Sequence, residues 1–315
     1  MTSILSIDGG GIRGIIPAMV LAAIEKETGR PIADLFDVIA GTSTGGILAC
    51  GLTVPGEPGQ PKFSAAALVD MYLNDGGRIF PHHLLQGLTS LVDEKYSQEG
   101  IESVLRQYVG EARLSDSLKR ILVTAYDIER RKPFFFRSQD AVPGTANDYL
   151  TWMVARSTSA APTYFEPFKL PGASPGDYHA LVDGGVYANN PSMCAYVDGS
   201  AGQAKPDEVY LVSLGTGSLN RPIPYDQARE WGKLQWAQPI LNVVFDGVSS
   251  TTDYQLRQIL SSSAYVRVET DLDIASDNLD DVTPENLRNL QLQAEKLITD
   301  RAADIAAICA ELTSA

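Results

Sequence analysis

Two stretches near the start of this chain run from an apolar, strand-like segment through a glycine turn into a helix-like one, and no other local pattern limits the fold as tightly. "ILSI" passes through "DGGGIRG" into "IIPAMVLAAIEKET", which Gly29 is placed to end. "FDVIA" passes through a serine-bearing turn into "GGILACGLT". Further on, "RILVTAYDI" and "KPFFFRS" read as two β segments about a charged turn, and "NDYLTWMVARSTSAA" as a helix ending at Pro162. "HALVDGGV" and "EVYLVSLGTG" read as strands closing in glycine turns, and "AYVRVE" as a late strand. Residues 64 to 110 read as mostly helical, and a capped amphipathic helix or two close the chain from about residue 284. Strands alternating with helices predict an α/β fold: a three-layer α/β/α sandwich around a central, largely parallel sheet, in one domain over residues 1–315.

Charge and cysteine usage remove several function classes. A formal net charge of -14 disfavours nucleic acid as a partner and broad electrostatic adhesion to anionic bilayers, since both call for a basic surface. Cys50, Cys194 and Cys309 are widely spaced and odd in number, so they predict neither a disulfide framework nor a metal cluster. The N-terminus shows no basic region followed by a long apolar one, and no apolar run reaches membrane-spanning length. The expected location is cytoplasmic, with transient membrane association left open.

The turn after "FDVIA" carries Ser43 in the frame G-x-S-x-G. Such a turn forces a sharp strand-to-helix reversal that lifts the serine hydroxyl clear of the sheet, and Gly41, Gly45 and Gly46 supply the small neighbours that the close backbones need. A serine nucleophile needs a proton acceptor, and the three histidines, His82, His83 and His179, are followed by none at the downstream position of a familiar triad. Asp183 ends a strand in another glycine turn, "ALVDGGVYANNP", at the same kind of sheet edge, so a carboxylate can replace the histidine. An aspartate with an ordinary pKa of about 3.9 is a feeble base, so partial burial should raise its proton affinity. Judged in isolation, Asp183 also fits an Asp-Gly turn with no chemical role.

The first glycine turn admits a different reading. Its glycines satisfy G-x-G-x-x-G, but a dinucleotide site needs an acidic residue closing the second strand, whereas Asp34 and Asp37 precede or open that strand. A phosphate-gripping P-loop lacks its Gly-Lys-Ser/Thr ending. An oxyanion hole uses both turns: the amides of Gly10 and Gly11, at a helix start, would point at the oxygen that turns negative during acyl transfer. Such donors stabilise a transition state by on the order of 3 kcal/mol each.

"ILSIDGGGIRGIIPA", "FDVIAGTSTGG", "ARSTSAAPTYFEPF" and "LVDGGVYANNP", in this order and spacing, resemble the patatin-like phospholipases, and the likeness extends to "VTAYDI", "LVSLGTG" and "DDVTPENLRNL". The resemblance implies a lipid acyl hydrolase of phospholipase A or lysophospholipase type, acting on phospho- or galactolipids through a Ser-Asp dyad and an acyl-enzyme, with no metal or cofactor. It implies Ser43 as nucleophile, Asp183 as general base, and Gly9, Gly10 and Gly11 with Arg13 framing the oxyanion site. Arg13 fits equally a contact to a substrate phosphate and a pairing with a nearby carboxylate. The implied partner is a membrane or micellar lipid, met peripherally. A small-molecule or protein activator, as in a regulated bacterial effector, stays open, as do a non-phospholipid carboxylesterase, a storage protein without turnover, and the oligomeric state.

Other segments carry weaker signals. "RRKPFFF", residues 130 to 136, suits docking on a headgroup layer, but reads more simply as a β segment with Phe134 and Phe136 on one face after a charged turn. His82 and His83, beside "LLQGL", fit a lid or an ordinary surface loop. The acidic run "ETDLDIASDNLDD" lacks the ligand and glycine of a calcium loop and is expected to be a solvated loop. Trp152 and Met153 are expected in the core.

Overall fold

Apolar runs too short for helices and buried on both faces make the natural centre of a sheet. In the computed structural model, which describes residues 1–80, 98–200, 208–218, 221–236 and 239–314, those runs form eight strands of one sheet. They are β1 (Thr2–Ile7), β2 (Val38–Thr42), β3 (Arg120–Asp127), β4 (Lys132–Arg137), β5 (Phe168–Pro171), β6 (Tyr178–Asp183), β7 (Val209–Leu214) and β8 (Tyr265–Val268). Five of them run parallel in the order β8, β7, β1, β2, β3. The other three join antiparallel: β4 as a hairpin on β3, β6 on the last residues of β3, and β5 on β6.

Successive strand residues divide between two apolar clusters. Ile4, Val38, Leu122 and Leu211 belong to one, and their neighbours Leu5, Ile39, Val123 and Val212 to the other. Alternation of this kind puts a layer on each face of the sheet. The larger layer includes the helices Ile15–Thr28, Thr44–Thr53, Ala65–Ile79 and Thr151–Thr158 and the C-terminal pair Pro284–Asp300 and Ala302–Thr313. The smaller is built on Ala195 from the helix Ser192–Gly199 and Leu256 from the helix Pro239–Ile259. The fold is thus the α/β/α arrangement expected of the chain.

The pairing around β3 positions the chemistry. β4 occupies one edge of β3 along Leu122–Asp127, so β2, paired at Arg120–Thr124, and β6, paired at Ala125–Asp127, must share the other edge. They approach from opposite directions. The last residue of β2, Thr42, lies across from Thr124, and the last of β6, Asp183, across from Ala125. Strands that were all parallel would bring Asp183 to the shared carboxyl edge of the sheet; instead β6 runs against β3 and stops where β2 stops.

Local details follow from residue chemistry. Gly29 ends its helix in the left-handed region at φ 65°, which a residue without a Cβ adopts without strain. The helix expected over "NDYLTWMVARSTSAA" is confined to Thr151–Thr158. The 21-residue helix Pro239–Ile259, rich in β-branched and hydroxyl residues, was not foreseen. In the β3–β4 hairpin Phe134 and Phe136 share a face, their ring centroids 4.9 Å apart, and Phe136 is buried. Arg130 is bonded to Asp127 (3.0 Å), to Asp177 (2.9 Å) and to the Tyr178 carbonyl (2.7 Å), so its cation serves the hairpin. Trp152 is buried, as expected, and Met153 packs against the core. His82 and His83 lie outside the described residues.

Candidate active site

Ser43 sits between β2 and the helix Thr44–Thr53 with φ 56° and ψ -122°, a conformation that costs an L-residue on the order of 1–3 kcal/mol. Glycines make the reversal possible: a Cβ on Gly45 would meet the Ile7 carbonyl, and one on Gly41 would meet the backbone of Gly45. A serine at a helix start ordinarily turns its hydroxyl onto the helix amides. Here it makes no such bond. The hydroxyl is instead close enough to the Asp183 carboxyl to favour its charged form.

Asp183 is 1% exposed. Burial pushes its carboxyl up to about 7, against the opposing pull of the Ser43 hydroxyl and of the hydrogen bond from the Gly185 amide (2.7 Å). One segment holds both partners by their backbones. The Ser43 amide donates to Thr158 Oγ1 at 2.8 Å, and the Asp183 amide to the Ala160 carbonyl at 3.0 Å. Two positions of the "ARSTSAAP" stretch thereby set the spacing of residues 140 places apart.

The glycine turn lies alongside: a Cβ added to Gly9 would come within 3.2 Å of the Ser43 Cβ. The turn's carbonyls are held from behind. The Gly9 carbonyl accepts from Thr216 Oγ1 (2.8 Å) and Asn189 Nδ2 (3.5 Å), and the Gly10 carbonyl from the amide and Nε of Arg13 (3.2 Å each). In a trans peptide the amide N–H points opposite to the carbonyl it shares a plane with. The amides of Gly10 and Gly11 are therefore aimed away from Thr216 and Arg13, and neither has an acceptor among the described residues. The Gly9 amide is already committed to the Asn189 carbonyl at 3.0 Å, which makes Gly9 a spacer in the turn and not a free donor.

Arg13 stands behind the turn. It is buried and also reaches the Gly217 carbonyl (3.4 Å), while Asp246 and Glu269 supply the nearest opposing charge. Its side-chain hydrogen bonds go to the Gly10 and Gly217 carbonyls, and it makes no ion pair among the described residues. A polar cavity of about 280 Å³ opens beside it, walled by Asn189, Thr216, Asp246 and Glu269, but not by Ser43 or Asp183.

Asp8, which precedes the glycines, is fixed by Arg267 through two bonds of 2.9 and 2.7 Å. Burial pushes the Asp8 carboxyl up to about 6 while the guanidinium pulls the other way. Arg267 also binds Ser213 and Glu269, at 2.7 Å each. The Leu279 carbonyl takes the Ile12 amide at 2.8 Å, so the acidic run expected to be a solvated loop is a strap over the turn, with Leu272, Ala275 and Leu279 buried. Thr158, Ala160, Asn189 and Thr216 lay inside sequence blocks already singled out. Arg267 had no local signal. Among the described residues no group of three or more His, Cys, Asp or Glu side chains is arranged to hold a metal ion, and no helix is long and apolar enough to cross a membrane.

Comparison with known proteins decides the family. The model of the patatin-like phospholipases matches residues 5–196. This chain belongs to that family. Patatin-like protein 1 of Arabidopsis thaliana is 35% identical over 340 residues, covering 96% of this chain and 82% of that protein. Patatin-like protein 2 of Oryza sativa subsp. japonica is 33% identical over 341 residues, covering 95% and 84%. The crystal structure of VipD from Legionella pneumophila aligns with a TM-score of 0.42 and 12% identity over 95% of this chain and 67% of that one, a likeness too distant to bear on the site. As a patatin-like phospholipase the chain is a lipid acyl hydrolase.

Proposed function

We infer that this patatin-like protein cleaves fatty-acyl esters of phospho- or galactolipids with Ser43 as nucleophile and Asp183 as its only general base. The observation that carries this reading is the nearness of the two side chains, where β2 and β6 end on one edge of β3 and burial lifts the Asp183 carboxyl to about 7. A base is most useful when its pKa lies near the working pH.

Asp183 takes the Ser43 proton as the hydroxyl oxygen attacks the ester carbonyl. The Gly10 and Gly11 amides receive the negative tetrahedral oxygen, with Thr216, Asn189 and Arg13 as positioning residues behind them. The same carboxyl returns the proton to the departing alcohol, leaving an acyl-serine. Water, deprotonated by Asp183, then attacks the acyl carbon, and the carboxyl returns that proton to the departing Ser43 oxygen as the fatty acid is released. Ser43 needs no third residue to orient its base, because Asp183 is held by the Gly185 and Ala160 backbones.

The test is covalent labelling and turnover of the purified chain with no added nucleotide or protein. A fluorophosphonate probe should label the wild type and not Ser43→Ala, and fatty-acid release should vanish in that variant with the fold intact. Release that persists in Ser43→Ala refutes the assignment, and a wild type active only after an activator is added would place regulation on top of it.

A further inference from the structure

Residues 221–236 include two short helices, Tyr225–Ala228 and Lys233–Trp236, neither with a buried residue. Yet the stretch is not polar. Tyr225 is 78% exposed and Leu234 71% exposed, Ile223 is exposed as well, and Trp231 and Trp236 stack edge to face at 5.0 Å. The start of the following helix adds exposed Ile240 and Val243, three residues apart and so on one face. Exposed apolar groups this frequent in one stretch of chain mark a surface that something covers.

The nature of the cover follows from three observations. First, the described elements on either side of the segment belong to the candidate site. β7 leads into Thr216, which holds the Gly9 carbonyl, and the helix places Phe245 where a Cβ on Gly185 would touch it and Ser249 within 3.0 Å of Asn189. Second, the residue types are those of a membrane boundary, where Trp and Tyr bury an apolar body and keep a polar tip wet. Third, the charge is locally relieved: Arg221, Arg229 and Lys233 stand against Asp226 and Glu230, in a chain whose net charge is -14. Arg229 pairs with both of those acids, and Arg221 with Asp277. With Arg221 held by Asp277 the patch is close to neutral, which suits a headgroup layer without net charge and gives little attraction to an anionic one.

We propose that residues 221–236 and the first turns of the helix Pro239–Ile259 form the surface by which this enzyme docks on a zwitterionic phospholipid layer, inserting Tyr225, Leu234 and the tryptophan pair at the headgroup level. The proposal rests on the lipid-hydrolase reading of the adjoining site. It sets the docking face apart from the β3–β4 hairpin, where Arg130 is held by Asp127 and Asp177.

The chain has three tryptophans, and the third, Trp152, is buried beneath the Arg106 guanidinium, 3.4 Å from its ring centre. Tryptophan emission therefore reports on the segment. With the Ser43→Ala chain, so that vesicles stay intact, phosphatidylcholine vesicles brominated on the acyl chains should quench that emission. The Tyr225→Glu/Leu234→Glu variant should partition to the same vesicles at least about tenfold more weakly, since interfacial binding scales with buried apolar area. In the Ser43-intact background that variant should lose vesicle hydrolysis in proportion while hydrolysing a monomeric short-chain ester at the wild-type rate. The short-chain assay isolates the chemistry: its loss in Ser43→Ala tests the nucleophile whatever becomes of docking. Absence of bromine quenching overturns the proposal, as does unchanged partition of the double variant. Binding that appears only with anionic lipid and disappears in salt also overturns it, and so does a double variant that merely turns a dimer into a monomer with partition intact.

Discussion

Ser43 meets Asp183 where two strands running in opposite directions halt against each other on one edge of a third, opposite Thr124 and Ala125. Because the meeting point is inside the sheet, the carboxyl is cut off from water, and burial lifts it to about 7. A base is active when deprotonated. The kcat/KM for a monomeric ester should therefore climb with pH along a limb centred near 7, losing about tenfold for each unit below it. A limb centred near 4, the range of a solvated carboxylate, would refute the rise that burial gives the titrating group.

The same burial weighs on stability, with a sign that can be measured. The folded-state pKa of Asp183 lies above its ordinary 3.8, so its stabilising contribution is complete below about pH 4 and is lost as pH rises through 7. The full swing is about 4 kcal/mol at most. Replacing Asp183 with asparagine, which keeps an acceptor for the Gly185 amide, should make the protein about 2–4 kcal/mol more stable than wild type at pH 8. Urea unfolding at pH 8 and pH 5 reads the difference, which should narrow to less than half at the lower pH. A gap that is the same at both refutes the burial argument.

Arg267 reaches from β8 across β7 to Asp8 and neutralises a buried carboxylate. Arg267→Met strands that charge and should cost about 3–5 kcal/mol by urea unfolding at neutral pH. Adding Asp8→Asn removes the stranded charge and should restore most of the loss. If the double variant is no more stable than the single one, packing and not charge accounts for the effect.

Thr158 offers Ser43 a single acceptor for its backbone amide, 2.8 Å away. Thr158→Val keeps the shape and removes the oxygen. Leaving a buried amide unpaired costs about 1–3 kcal/mol. With the serine turn less firmly held, kcat should fall by about tenfold at little change in KM, the pattern of an interaction that matters in the transition state. A change in KM alone would mean that Thr158 serves substrate binding.

Much of this was legible from residue order because it is local. A strand that breaks into Gly-x-Ser-x-Gly and then a helix of small residues specifies its own backbone path, and Gly29 and Ser43 adopt the conformations that their neighbours demand. The Asp-Gly turn after an apolar strand likewise placed Asp183 at a strand end. Which way that strand runs was not local. β6 lies antiparallel because its partner residues are Ala125–Asp127, and pairing direction is a property of two segments, not of one. For the same reason no inspection of Arg267 suggests Asp8, 259 positions earlier, and none of "DNLDD" suggests the Ile12 amide. Periodicity and turn chemistry record what each stretch does by itself. The burial that raises the Asp183 carboxyl, the ion pair beneath the glycines and the strap over them exist only once the sheet has brought distant segments into contact, since charge and solvation depend on what surrounds a group and not on its place in the chain.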